Sequence, residues 1–362
     1  MLDHSQVDIP SRFKNHPLFN ELHCGMNFGF MAGRGYYRRP EVLAQPALMA
    51  AAGVNWVTLN ANFCQETFAS RKVFLDFAYS SGEAELTDMA RAMHDAGLRV
   101  LFKPCLTPLD GSWMGSVAFP EGRQINGVQS DYWREWFDSF IESSKYFAEF
   151  AERNRLEAMI IGAEYFGTEG RGAEWREVIA AIRAVYSGPL TYECTFKSLE
   201  DYELDWFDEL DFLSYSYYPP ACPVPDGKPA FADHPHYSVE QMVEFLSARR
   251  SKVERLSKRF GRKPVAFTEI GVRSAHGCIS RPFDFLEKTG YDGREQADYM
   301  EAVFRTFWTV PQWLGLYWWK WDETQHRPHY FDEPGVDKGF TIQGKPAEAV
   351  MRRWFGRRGG GK

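Results

Sequence analysis

The chain has 362 residues, 44% of them hydrophobic and 25% charged, an ordinary globular composition that excludes disorder, collagen and coiled coil as descriptions of the whole. A formal charge of −7, from 42 basic and 49 acidic residues, with no basic block beyond Arg352-Arg353 and Arg357-Arg358, argues against a nucleic-acid partner. The apolar runs are about a strand long, far short of the ~20 residues of a membrane helix, so no membrane partner is expected either.

Eight apolar runs read as strands: His23–Phe30, Val54–Asn60, Arg99–Lys103, Ala158–Ala163, Leu190–Cys194, Asp211–Ser216, Pro264–Thr268 and Leu314–Lys320. Most lack strict alternation, as strands buried on both faces do. Helical stretches lie between them. Pro40–Ala52 opens on a proline, and Glu83–Ala96 stops at Gly97. Asp131–Arg153 carries Trp133, Trp136, Phe137, Phe140, Ile141, Ser144, Phe147 and Ala148 on one face. Ala173–Tyr186, Ser238–Phe260, Arg294–Thr309 and Ala347–Phe355 complete the alternation.

Strand–helix alternation repeated eight times predicts an α/β fold, a (β/α)8 TIM barrel, because closure leaves no strand at an edge. An open doubly wound sheet usually opens with GxGxxG after its first strand, and Gly33-Arg34-Gly35 does not match. The expected division is an extension over 1–22, a single catalytic barrel over 23–355 and a flexible tail over 356–362. Four long segments follow strands and would lie at the C-terminal face: Pro104–Ser130, Tyr217–Tyr237, Gly271–Gly293 and Trp321–Gly344. None of the six cysteines (Cys24, Cys64, Cys105, Cys194, Cys222, Cys278) forms CxxC, and Met1–Pro17 has no apolar signal core. Free thiols and a cytoplasmic location are therefore expected.

Two glutamates stand out by position. Glu164 ends the fourth strand and Glu269 ends the seventh. Paired carboxylates at a barrel mouth suit glycoside hydrolysis, where one protonates the leaving oxygen and the other attacks the anomeric carbon, about 5–5.5 Å away in retaining enzymes and about 6.5–9.5 Å in inverting ones. Either glutamate alone reads equally as an ion-pair partner or helix cap. Glu193, also at a strand end, is the main rival, with Glu66, Asp110, Glu169 and Asp322 in loops.

Aromatic residues add sugar-stacking candidates. Trp319 and Trp321 are taken as mouth residues, while Trp318 reads as filler between barrel and helices. One of Tyr215, Tyr217 and Tyr218 could donate its phenol to the nucleophile, or be a core tyrosine. Lys103 would bind a sugar hydroxyl or pair with an acid. No histidine pair has HExxH spacing; His326, His329 and Asp332 read as solvated loop residues, so no metal and no cofactor are expected.

Over Gly25 to Phe355 the chain resembles glycoside hydrolase family 113. The resemblance rests on Lys103-Pro104, Asp110-Gly111-Ser112-Trp113, Ile161-Gly162-Ala163-Glu164, Ser216-Tyr217-Tyr218-Pro219, Phe267–Ser274, Trp319-Lys320-Trp321, Asp337–Phe340 and Gly344–Ala347. It implies a retaining mechanism on β-1,4-mannan or manno-oligosaccharides without a cofactor. Glu164 falls at its acid/base position, Glu269 at its nucleophile position and Tyr217 at the tyrosine near that nucleophile; Lys103, Trp113, Trp319 and Trp321 join Tyr217 as candidate substrate contacts. Cys105, Met114 and Ala163 stand where histidine, arginine and asparagine are common, which removes polar sugar contacts. The expected activity is thus a retaining β-glycosidase acting on manno-configured or related oligosaccharides. The alternatives are a transglycosylase with the same glutamates and a non-catalytic carbohydrate-binding barrel. Oligomeric state has no signal in the sequence.

Overall fold

A computed structural model describes residues 2–195, 204–224, 231–325 and 327–359. Among the described residues, ten strands follow in chain order: β1 (His23–Phe28), β2 (Trp56–Gln65), β3 (Arg99–Pro108), β4 (Arg123–Ile125), β5 (Val128–Ser130), β6 (Ala158–Ala163), β7 (Leu190–Thr195), β8 (Leu213–Ser216), β9 (Val265–Ile270) and β10 (Trp313–Trp318). Eight of them close into a parallel barrel in the order β1-β10-β9-β8-β7-β6-β3-β2. The eight expected strands are all present. β1, β6 and β10 are buried along their whole length, which is why their sequences do not alternate.

The boundaries moved where local partners were invisible in the sequence. β2 and β3 run five residues past the expected Asn60 and Lys103. Leu109 N–H donates to the Gln65 carbonyl at 2.9 Å and Cys64 bridges Phe74, so the backbone stays paired beyond the barrel. The segment after β3, expected as loop, contains the antiparallel hairpin β4–β5. Its turn is Asn126-Gly127, both at positive φ (52° and 80°), the backbone that a two-residue hairpin requires. The stretch Pro40–Ala52 is two helices, Pro40–Leu43 and Gln45–Ala51, because Pro46 has no N–H to continue the ladder.

The chain divides into two compact units. One comprises Gly29–Ala47 and Thr58–Tyr215. In it, Asp131 caps the helix Tyr132–Arg153, accepting from Arg134 N–H at 3.0 Å. Every residue of that helix's expected apolar face except Ile141 is buried. Trp136 stacks on Phe140 at 4.9 Å, Phe140 meets Phe63 at 5.6 Å, and Trp175 lies flat on Trp206 at 4.9 Å. Each ring so buried contributes about 1.5–3 kcal/mol.

The other unit comprises Met1–Phe28, Leu48–Val57 and Ser216–Lys362. There Phe304 stacks on Trp354 at 5.4 Å, joining the helices Gly293–Phe307 and Pro346–Phe355. Asn27 is buried on β1, and its amide donates to the carbonyls of Thr268 (2.9 Å) on β9 and Tyr317 (3.2 Å) on β10. His23 is also buried, stacked on Trp56 at 4.4 Å, with Nε2 2.8 Å from the Leu18 carbonyl.

All six cysteines are buried free thiols. Burial pushes Cys24, Cys222 and Cys278 up to about 12 and Cys64 up to about 11. No helix among the described residues is long and apolar enough to cross a membrane.

Candidate active site

Glu164 follows the last residue of β6 and turns the chain sharply, at φ +58°. A non-glycine residue in this left-handed region carries local strain of order 1–3 kcal/mol, held only where neighbours over-determine it. Here they do. Glu164 N–H donates to the Glu193 carbonyl at 2.8 Å, and the Glu164 carbonyl accepts from Phe166 N–H at 2.8 Å. The next residue is pinned as well: Tyr165 N–H donates to Tyr192 Oη (2.8 Å), and Tyr192 Oη donates to Glu169 (3.0 Å). Burial pushes the Tyr165 and Tyr192 phenols well above their ordinary range.

The half-buried Glu164 carboxylate accepts from Trp113 Nε1 at 3.3 Å. Trp113 is 47% exposed, its ring near-parallel to Phe166 at 6.4 Å. Gly115 lies under that ring: a Cβ there would sit 2.3–2.5 Å from three ring carbons. Trp113, a candidate substrate contact, thus stands beside Glu164.

Lys103 takes the second of its two expected roles. Its Nζ lies 2.6 Å from Glu193 Oε1, with side-chain exposures of 1% and 0%. The chief rival carboxylate is thus half of a buried ion pair. Among the other rivals, Glu169 is bonded to Tyr192, and Asp110 caps the turn at Ser112. Cys105 donates its thiol to Asn60 Oδ1 at 3.4 Å, and Ala163 is buried at the end of β6.

In the other unit, Glu269 stands on β9 and is half-buried. Tyr218 Oη donates to its Oε2 at 3.0 Å, with Ser216 Oγ at 3.5 Å from the same oxygen. This corrects the tyrosine assignment. Tyr217 meets Glu269 by its backbone N–H, which donates to the Glu269 carbonyl at 2.7 Å. Its buried ring packs on Phe267 (4.6 Å) and Phe307 (5.9 Å) instead. Adjacent residues of an extended segment point opposite ways, so only one of the two can reach the carboxylate.

Trp319 is 9% exposed and Trp321 3%, so both are more enclosed than mouth platforms need be. Trp319 N–H donates to the Ile270 carbonyl at 2.7 Å, and the Trp319–Lys320 peptide is cis. Gly271 permits this approach, since a Cβ there would meet the Trp319 carbonyl oxygen at 2.4 Å. Lys320 Nζ pairs with Glu323 at 2.8 Å. Trp321 N–H donates to the Asn27 carbonyl at 2.9 Å.

Asn27 was not singled out in the sequence, and Ser216 entered only as the first residue of the Ser216-Tyr217-Tyr218-Pro219 stretch. A polar amide inside an otherwise apolar strand was the available signal for Asn27. In the loop after β10, His329 bonds the Phe285 carbonyl and Asp332 pairs with Lys338, while His326 lies outside the described residues.

The sequence model of Glycoside Hydrolase Family 113 matches residues 26–345. Among solved structures, the β-mannanase AaManA from Alicyclobacillus acidocaldarius, in complex with ManMIm, is 27% identical; the match covers 93% of this chain and 97% of that one, with a TM-score of 0.77. Another family 113 β-1,4-mannanase is 26% identical over 93% of this chain and 100% of its own, with a TM-score of 0.78. A family 5 mannosidase from Rhizomucor miehei, 12% identical over 97% of both chains with a TM-score of 0.58, shares the fold. No curated protein sequence matches the chain.

Proposed function

The chain belongs to glycoside hydrolase family 113, and from that membership we propose that it is a retaining β-glycosidase acting on manno-configured β-linked oligosaccharides. In the first step the Glu164 carboxyl gives its proton to the glycosidic oxygen. The Glu269 carboxylate attacks the anomeric carbon, the glycosidic bond breaks, and a glycosyl ester forms. In the second step water attacks that carbon, Glu164 takes the water's proton, and Glu269 leaves as carboxylate.

The observation that carries the roles is the contrast between the two carboxylates. Glu269 is held at one oxygen by two hydroxyls, as a nucleophile that must keep one orientation requires. Glu164 has beside it an exposed indole on which a departing sugar can stack. The substrate class follows the mannanases of the same family. Each glutamate also stands at the C-terminal end of its barrel strand, where such enzymes keep their reacting groups.

The test is the anomer released first from manno-oligosaccharides, followed by NMR. The β-anomer is expected; initial release of the α-anomer refutes retention. A panel of aryl β-glycosides of mannose, glucose, galactose and N-acetylglucosamine is expected to rank mannose first. Glu269→Ala is expected to abolish turnover of a folded protein. Glu164→Ala is expected to spare activated aryl substrates far more than oligosaccharides, because an activated phenol departs without a proton.

A further inference from the structure

Four side chains that the glycosidase reading does not use converge at the start of the helix Gly293–Phe307. They are His236, in the segment before the helix Val239–Arg259; His276, in the loop after β9; and Asp292 and Glu295, the cap and first turn of the helix itself. One donor atom from each lies within 4.8 Å of all the others. His236 Nδ1 is 3.6 Å and His276 Nδ1 3.5 Å from Asp292 Oδ2, and His276 Nδ1 is 3.4 Å from Glu295 Oε2.

Three atoms of this cluster have no hydrogen-bond partner. The Glu295 side chain is 3% exposed, and neither of its oxygens has a hydrogen-bond partner. The Gly277 and Ile279 amides face it without reaching hydrogen-bond geometry. His276 Nδ1 is likewise buried without a hydrogen-bond partner, although its ring is anchored: Nε2 lies 2.9 Å from the His234 carbonyl. With Nε2 on that carbonyl, Nδ1 is the ring nitrogen that faces the two carboxylates, placed to share a cation with them. Asp292 divides its work in the same way. Its Oδ1 caps the helix, accepting from Glu295 N–H at 2.8 Å, while Oδ2 faces the imidazoles.

We propose that His236, His276, Asp292 and Glu295 bind one divalent transition-metal ion of the zinc type. Two imidazoles with two carboxylates suit a borderline-soft ion, whereas magnesium and calcium prefer all-oxygen sites. Bonds of about 2.0–2.2 Å at tetrahedral angles place ligand atoms about 3.3–3.6 Å apart. The three close pairs already have that spacing. The other three pairs lie within 4.8 Å, and two of them involve His236, whose 77% exposed side chain has room to move inward. The carbonyl anchor on His276 Nε2 is what an imidazole ligand needs to hold its orientation. Four protein ligands leave no open position, so the ion is structural. It ties the segment before the helix Val239–Arg259 to the loop after β9, independently of any sugar chemistry. Ligands spread over 236–295 without a short motif gave the sequence no signal for it.

The test uses the full chain, stripped with a chelator and dialysed against zinc. One zinc per chain by elemental analysis is expected, with a thermal midpoint raised by a few degrees. Cobalt is expected to give the visible d–d bands of a tetrahedral site. Glu295→Gln and His276→Ala are each expected to weaken zinc binding by more than about 100-fold. His236→Ala, an exposed change that leaves the metal-free unfolding curve in place, is expected to weaken it by about 10–100-fold and decides the matter if either buried variant fails to fold. His329→Ala, outside the cluster, is expected to bind as the parent does. Substoichiometric zinc in the parent, or equal uptake by the parent and His236→Ala, overturns the proposal.

Discussion

Tyr218 donates its hydroxyl to Oε2 of Glu269 at 3.0 Å, while the residue before it holds the Glu269 carbonyl through its backbone at 2.7 Å. Two consecutive residues thus fix the main chain and the side chain of one carboxylate. A hydrogen bond to a charged partner is worth about 1.5–3 kcal/mol. Tyr218→Phe is accordingly expected to lower kcat by about 10–100-fold with little change in thermal midpoint. Ser216→Ala, which removes a 3.5 Å contact, should cost less. Unchanged kcat in Tyr218→Phe would remove the orienting role.

Gly115 sets the position of the indole beside Glu164. A methyl group there collides with three atoms of the Trp113 ring, so Gly115→Ala is expected to displace it. Activity on oligosaccharides should fall about tenfold or more, as it should in Trp113→Ala. The double variant should be no worse than either single one, because both remove the same contact. Additive losses in kcat/KM would show that the glycine acts elsewhere.

Lys103 and Glu193 form an ion pair with almost no solvent access. Removing one partner strands a charge, at a cost of about 3–5 kcal/mol; replacing both with apolar residues of similar size is often neutral. Lys103→Met is therefore expected to lower the urea midpoint strongly, and Lys103→Met/Glu193→Leu to restore most of it. A single variant as stable as the parent contradicts the burial of the pair.

His23 makes acid stability measurable. Burial lowers it to about 3, against a partial pull upward from the Leu18 carbonyl. Its ordinary value is about 6.5. Below pH 6.5 the unfolded chain takes up a proton that the folded chain refuses, so stability is lost as pH falls from 6.5 toward 3. The slope approaches about 1.4 kcal/mol per pH unit, with a ceiling of about 4–5 kcal/mol. His23→Gln should flatten urea midpoints between pH 6.5 and 4; an unchanged slope assigns the acid sensitivity to other groups.

The fold was legible because barrel strands buried on both faces leave uninterrupted apolar runs, and all eight runs became barrel strands. What escaped depended on contacts between distant segments. The extensions of β2 and β3 exist because Leu109 finds the Gln65 carbonyl. The β4–β5 hairpin was announced by Asn126-Gly127, but without the flanking apolar alternation that draws attention to such a turn. Positions of the glutamates at strand ends were readable. Which tyrosine reaches Glu269 was not, because that depends on the orientation of a chain leaving its strand.

Every sulfhydryl in this polypeptide is shut away, on β1, β2, β3 and β7 and in the segments that carry Cys222 and Cys278. A thiolate is the species that alkylating reagents attack, so the native enzyme should ignore iodoacetamide and take it up only through opening events. Timed labelling with peptide mass mapping would then date the loosening of each neighbourhood, giving the barrel six built-in clocks.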